Sequence, residues 1–352
     1  LVAAVRRADV QAVAICLLFS FHNGDHERRI AAAFRSEFPD LSVALSCEVA
    51  PEIKEYPRAS TTAVSAALQP LVAKYMANIE TGLHRERVSC PFFVMQSNGG
   101  VVSAGEASSN AHRMVLSGPA AGVLAATQLA EDTVYKNQIT FDMGGTSTDI
   151  CLIHGGRARL DRESLFEGRP LRVPQFDIHT IGSGGGSIAR VDAAGLLRVG
   201  PESAGANPGP ACYGRGGVLP TTTDAHVVLG RIDPLRFLGG EMPLDKDAAE
   251  RAIREHIADP LGISVEESAL GILDVADAVM ARGVRVVSVN RGYDPRDFTL
   301  VPFGGAGPMH ALSVGALVDA GAVVVPVNPG TFSAVGLAAS QLKYDFGAMV
   351  DR

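Results

Sequence analysis

The ten residues Phe141-Asp-Met-Gly-Gly-Thr-Ser-Thr-Asp149-Ile150 constrain this chain more than any other stretch. Before them, Asn137-Gln-Ile-Thr-Phe141 reads as a strand. After them, Ile150-Cys-Leu-Ile153 alternates into a second strand, and Gly155-Gly156 can turn the chain into a third over Ala158 to Leu160. The segment is therefore a loop within a β-hairpin. A Gly-Gly pair lets backbone approach a phosphate closely and aim its N–H groups at it. Thr146, Ser147 and Thr148 add hydroxyl donors, and Asp142 and Asp149 can hold a divalent cation directly or through water. A Walker loop is excluded, because it needs a Lys and a following helix. A merely decorative turn would give two carboxylates and three hydroxyls no packing reason to gather.

The bulk properties narrow the class of protein. At 352 residues the expectation is two domains, or one large two-lobed one. Hydrophobic content of 47% with 20% charged residues suits a chain that buries a substantial core. The net charge of −7, without a long basic run, speaks against nucleic acid or an anionic membrane as partner. Apolar runs such as Val10 to Phe21 are too short to span a bilayer, and no signal peptide is visible. Five scattered cysteines without a Cys-x-x-Cys favour a reducing compartment over a disulfide framework or zinc knuckle. A cytoplasmic enzyme or ATPase is the expectation. The chain starts without Met inside a helix-like pattern, so it reads as a fragment of a larger one.

Along the chain, Val10 to Phe21 is expected as a buried strand, His26 to Glu37 as a helix, and Leu41 to Ser46 as a second strand: a β-α-β start. A long amphipathic helix should bury Val64, Leu68, Leu71, Tyr75, Ile79 and Leu83, with a kink at Pro70. Ser117-Gly-Pro starts a helix. Residues 161–225 are rich in Gly and Pro and are expected as an irregular insert covering the site. Helices resume over Asp245 to Ile257 and Val265 to Val289, the second with a capping box of Ser264 and Glu267. Ala322 to Val327 should be a strand.

Two more segments carry chemistry. Phe303-Gly-Gly-Ala-Gly-Pro-Met-His310 is a strand, glycine turn and helix; at Gly304, Gly305, Ala306 and Gly307 an adenosine ring or ribose could lie against bare backbone. Asp177-Ile-His179 puts a carboxylate and an imidazole on one face of a strand, a pair suited to Zn²⁺, Mn²⁺ or Fe²⁺. The same pair reads equally as a histidine whose tautomer is fixed by its neighbour. For Asp224-Ala-His226, after Thr221-Thr-Thr223, helix capping by Asp224 is the better reading. No Gly-x-Ser-x-Gly elbow is present; Ser183 lacks the strand-turn-helix context.

Taken in order, the hairpin motif, Asp177-Ile-His-Thr-Ile-Gly-Ser-Gly-Gly-Gly-Ser187, Gly205-Ala-Asn-Pro-Gly-Pro-Ala-Cys-Tyr-Gly214, Thr223-Asp-Ala-His226 and Phe303-Gly-Gly-Ala-Gly-Pro-Met-His310 resemble the hydantoinase A / 5-oxoprolinase family, including N-methylhydantoinases and the related acetone and acetophenone carboxylase subunits. The resemblance implies an α/β fold of actin-like ATPase (ribonuclease H-like) lobes with a Gly/Pro-rich insert. Residues 1–50 would end a truncated N-terminal lobe and 51–352 would form the central hydantoinase A domain. A further phosphate loop and a C-terminal domain of the family are not in the chain.

The activity implied is ATP-dependent phosphorylation of the amide oxygen of a cyclic amide, which turns a poor electrophile into one that water opens. Asp142 and Asp149 would be catalytic. Gly144, Gly145, Thr146 and Thr148 would hold phosphate, and Gly304, Gly305, Ala306 and Gly307 adenosine. ATP and Mg²⁺ are the implied cofactors, with a second divalent metal (Zn²⁺ or Mn²⁺) at Asp149, Asp177 and His179. The implied partner is a hydantoinase B-type subunit within an oligomer. A ketone carboxylase subunit and a non-catalytic actin-like nucleotide module are the alternatives.

Overall fold

The computed structural model describes residues 2–166 and 168–347. The chain divides into two units: residues 1–124, 160–176 and 337–352 in the first, and residues 125–159 and 177–336 in the second. Residues 1–50 fall in the same unit as the residues that follow them to 124.

In the first unit, strand β1 (Ala12–Ile15) and strand β2 (Ser42–Leu45) pair in parallel, with helix α1 (Asp25–Glu37) between them in sequence. This is the expected β-α-β start, and Ile15, Ala31, Phe34, Val43 and Leu45 form its core. The first strand is far shorter than Val10 to Phe21. Leu18 and Phe19 are exposed, because the chain leaves the strand at Leu17: its N–H donates to Glu27 at 2.8 Å and its carbonyl accepts from Arg58 at 2.6 Å.

Helix α2 (Glu55–Arg85) carries Pro70 within it. Its buried face follows the apolar stripe that the periodicity predicts only in part: Val64, Leu68, Ile79 and Leu83 are half-buried. Leu71 and Tyr75 are exposed, whereas Arg58, Thr61, Thr62, Ser65, Ala66 and Met76 are buried. The threonines can be buried because their hydroxyls bond back one turn, Thr61 to the Pro57 carbonyl at 2.8 Å and Thr62 to that of Arg58 at 2.7 Å. Small side chains then permit close packing on the strands.

The second unit is built on a six-stranded sheet. Strand β3 (Gln138–Met143) pairs antiparallel with strand β4 (Thr148–His154), which pairs antiparallel with strand β5 (Ile178–Ile181). The short strand Arg157–Ala158 also pairs with β4. Helix α3 (Thr222–Val228) and helix α4 (Val265–Val287) follow in the chain. Strand β6 (Thr299–Phe303) then joins β3 in parallel, helix α5 (Gly307–Leu317) follows it, and strand β7 (Ala322–Val323) pairs in parallel with β6. The order β5-β4-β3-β6-β7, with β6 and β7 parallel to β3, is the ribonuclease H-like arrangement expected from the sequence.

Side chains alternate across this sheet with a period of two. Ile139, Phe141, Met143, Ile150 and Leu152 pack on Ala276, Met280, Val284 and Val287 of α4. Ile153, Val301 and Phe303 face the other way, against Ala125, Ala126 and Phe332. Both faces are therefore covered, and the hairpin loop emerges at the end of the sheet. The expected capping box of Ser264 with Glu267 forms, and a second, Thr221 with Asp224, opens α3. Residues 161–225 are more ordered than expected and contain a run of short antiparallel ladders, among them Ser187–Val191 with Leu197–Ser203. No helix among the described residues is long and apolar enough to cross a membrane.

Candidate functional site

The β3–β4 register sets Asp142 opposite Asp149 and Met143 opposite Thr148. Between them the loop Gly144–Ser147 closes through the Gly144 N–H on the Ser147 carbonyl at 3.1 Å. Gly144, Gly145 and Thr146 are exposed at its apex. A Cβ built at either glycine would meet nothing within 4 Å. The backbone N–H groups of Gly145 and Thr146 find no acceptor among the described residues. Nothing in the surrounding fold thus requires glycine at 144 or 145, and two donors stand free beside two carboxylates.

The loop is held from below by the glycine run 182–187. Gly185 and Gly186 donate their N–H groups to the carbonyls of Gly144 and Gly145, at 3.0 and 2.7 Å. A Cβ at Gly184 would lie 2.7 Å from the Gly145 carbonyl, so only glycine permits this approach. Thr223, in the first turn of α3, donates its N–H and its hydroxyl to the Gly185 carbonyl, each at 2.8 Å. Both carbonyls of the Gly-Gly pair are consumed inward and the Gly144 N–H closes the loop, which leaves the Gly145 N–H for the outer side.

The turn after β6 closes in from the other flank. Phe303 is the register partner of Asp142, and Gly304 follows with φ +81°. A Cβ there would sit 2.5 Å from Asp142 Oδ1 and from the Met143 carbonyl. Ala306 N–H donates to the Met143 carbonyl at 3.0 Å, and a Cβ at Gly307 would lie 3.1 Å from the Phe141 carbonyl. Gly305 has open space around it. The hairpin and the 304–307 turn, 160 residues apart in sequence (304 − 144), are in direct contact.

Burial, and then the neighbouring Asp149, push the Asp142 carboxyl up to about 6. Asp149 is also raised by burial, against the pull of Thr180, whose hydroxyl donates to Asp149 Oδ1 at 2.5 Å. Thr180 is the register partner of Asp149 on β5. Two unequal carboxylates, free N–H donors and the exposed Thr146 hydroxyl suit an anion bound with its cation.

Two sequence expectations are corrected here. Thr148 is not a phosphate donor: its side chain is fully buried and its hydroxyl donates to the Ser183 carbonyl at 2.5 Å. The Asp149, Asp177 and His179 set does not assemble as a metal centre. The Asp177 carboxylate takes two N–H groups of Arg291, from Nη2 to Oδ1 at 2.9 Å and from Nη1 to Oδ2. Asp149 is bound by Thr180, and no group of three His, Cys, Asp or Glu among the described residues gathers at ligand spacing. His179, held below its usual range by burial and then by Arg291, lines a cavity of about 360 Å³ with Ile181, Gly182, Val199, Pro201 and Arg282.

The N-cap of α3 is Thr221; Asp224, the expected cap, completes the capping box from the third helical position and accepts from Thr221, Ala211 and Cys212. Sequence reasoning missed Thr180 and Thr223, whose roles depend on strand register and on a helix start 38 residues from the carbonyl it binds. A larger cavity, about 1090 Å³, lies in the first unit; Arg35, His112, Arg113, Arg172 and Lys343 are among its lining, and no hairpin residue is.

The hydantoinase/oxoprolinase family profile matches residues 58–346. Caprolactamase subunit alpha of Pseudomonas jessenii is 43% identical over 97% of this chain and 49% of its own length. The crystal structure of the ATP-dependent caprolactamase from that organism superposes with a TM-score of 0.81 at 42% identity, covering 97% of this chain and 50% of that one. The 5-oxoprolinase of Saccharomyces cerevisiae is 38% identical over 93% of this chain and 26% of its own. A nucleotide-free acetone carboxylase structure superposes with a TM-score of 0.86 at 32% identity, over 96% of this chain and 48% of that one. The chain spans half or less of the length of these relatives. By sequence and by backbone, this chain belongs to the hydantoinase/oxoprolinase family.

Proposed function

We propose that this chain carries the phosphate-binding hairpin of an ATP-dependent enzyme that activates a cyclic amide for hydrolysis. The observation that carries this reading is the exposed hairpin apex, with two N–H donors unpartnered among the described residues, between two carboxylates and with a glycine turn against its flank. ATP supplies the phosphoryl group that makes the amide oxygen a leaving group. Gly145 and Thr146 donate to its phosphates, and Gly304 to Gly307 offer backbone to the adenosine. Asp142 and Asp149 orient the Mg²⁺ shell. An Asp142 carboxyl that titrates near 6 can also take up or release a proton at the reacting centre.

The relatives named for lactam and oxoproline hydrolysis support the substrate class. A caprolactamase subunit among them supports work in a complex, for which a B-type subunit is the proposed partner and the cytoplasm the proposed setting. A second reading, activation of a ketone for carboxylation, is favoured by the acetone carboxylase backbone, whose TM-score of 0.86 exceeds the 0.81 of the caprolactamase structure.

The test is ADP release by the full-length protein with its partner subunit, given Mg·ATP and in turn 5-oxoproline, caprolactam, or acetone with bicarbonate. Ring opening coupled to ADP release is expected. Stimulation by the ketone alone transfers the chain to the carboxylases, and ATP binding without turnover of any of the three makes it a nucleotide-responsive module.

A further inference from the structure

Three buried titratable side chains behind the hairpin remain without a role. His310 on α5 places Nδ1 2.5 Å from Oδ1 of Asp277 on α4, and its Nε2 lies 3.0 Å from Nε2 of His226 on α3. All three are at most 3% exposed. One proton must lie between the two Nε2 atoms, and the Asp277 carboxylate accepts from His310 Nδ1, so both rings are oriented by bonds at their nitrogens. His226 is held neutral, pushed down to about 3 by burial and then by His310 and Arg231.

Stability does not explain these residues. Among the described residues, His226 Nδ1 is buried without a partner, as is Thr222 Oγ1 one turn earlier on the same helix. Leaving such atoms unpaired is destabilising, and apolar side chains of similar volume would fill the space at no such penalty.

Their spacing points elsewhere. Each lies three residues, about one helical turn, from a contact with the hairpin or its support. Thr223, three before His226, holds the Gly185 carbonyl. Gly307, three before His310, packs on the Phe141 carbonyl. Met280, three after Asp277, meets the Thr148 hydroxyl at 3.8 Å. The Asp–His–His chain therefore joins the three helices whose next turns touch the hairpin from below, from the 304–307 flank and from the face of the sheet.

We propose that Asp277, His310 and His226 are positioning residues, a buried relay that fixes the 304–307 turn relative to the glycine run 182–187 and so couples adenosine binding to phosphate binding. This rests on the nucleotide reading of the hairpin. The relay touches neither ligand; it sets the distance between the two surfaces that do. A ligand spanning both surfaces feels that distance, whereas one occupying a single surface does not.

The test uses the full-length protein with His226→Phe, His310→Phe and the apolar pair His226→Leu/His310→Leu. Affinities for Mg·ATP and for adenosine are measured by titration calorimetry, with thermal unfolding alongside. Each variant should bind Mg·ATP about tenfold more weakly while its adenosine affinity is unchanged. The double variant should lose no more than either single one, because the pair acts as a unit. If the apolar pair, which restores packing, also restores wild-type ATP affinity, the histidines are filler and the proposal falls. Parallel weakening of both ligands with a lowered melting temperature in every variant likewise overturns it. Asp142→Ala separates this from the underlying reading: wild-type ATP affinity in that variant overturns the site itself, and the relay with it.

Discussion

Asp142 and Asp149 face each other across the register of the hairpin, and Thr180 donates to Asp149 at 2.5 Å, so one carboxylate of the pair is steadied by a neighbour's hydroxyl while burial and the other's charge act on its partner. The two are unequal by construction: burial and then the Asp149 charge raise Asp142, whereas burial raises Asp149 against the pull of the Thr180 hydroxyl.

This inequality sets a stability profile. Folding raises the Asp142 pKa from 3.8 to about 6, so it favours the protonated form. The stabilising contribution is complete below 3.8 and is lost as the pH rises to about 6. Asp142→Asn removes the penalty of burying a charge. Its melting temperature should exceed that of wild type at about pH 7.5 and converge on it near about pH 4. A gain of equal size at both values would contradict the assignment.

Thr180→Val takes the hydroxyl donor from Asp149, whose carboxyl is already raised by burial. Without that donor it should rise further, and the pH midpoint for Mg·ATP binding should move upward. Calorimetry between about pH 5 and about pH 8 checks this. An unmoved midpoint would show that Asp149 takes no part in holding the cation.

The glycines separate fold from ligand. Gly304→Ala places a methyl group 2.5 Å from Asp142 Oδ1 at φ +81°, and should cost about 1–3 kcal/mol of stability. Gly145→Ala meets nothing within 4 Å, so its melting temperature should match wild type while Mg·ATP binding weakens about tenfold or more. Thermal unfolding and nucleotide titration on the two variants should give opposite orders of damage. A Gly145→Ala protein with both properties intact would remove the phosphate role of the apex.

Asp177 serves Arg291. Asp177→Ala leaves a partly buried guanidinium without its carboxylate and should lower stability by about 1–2 kcal/mol. Neither it nor His179→Ala should change the metal content of the purified protein by elemental analysis. Loss of a stoichiometric metal from both variants would restore the metal-centre reading.

Much of the site could be read from local pattern. The hairpin, the strand-turn-helix at 299–317 and the Ser264–Glu267 capping box depend on residues within a few positions of one another. What failed depended on distant partners. The burial of Thr148 follows from the Ser183 carbonyl, and the commitment of Asp177 follows from Arg291, 114 residues away. His226 and His310 meet across 84 residues, and nothing near either one signals the other. In helix α2 the apolar period located the buried face only in part, because threonine hydroxyls bonded to their own helix allow Thr61 and Thr62 to be buried while Leu71 and Tyr75 are exposed. Register and long-range pairing thus set the chemistry that local pattern only outlined.

Titration of the full-length protein with Mg·ATP, wild type against Asp142→Ala, tests the central claim most directly. The hairpin account predicts saturable binding that is lost in the variant, with the fold retained by circular dichroism. Equal affinity in the two proteins would contradict it, and the hairpin would then be a structural turn rather than a phosphate site.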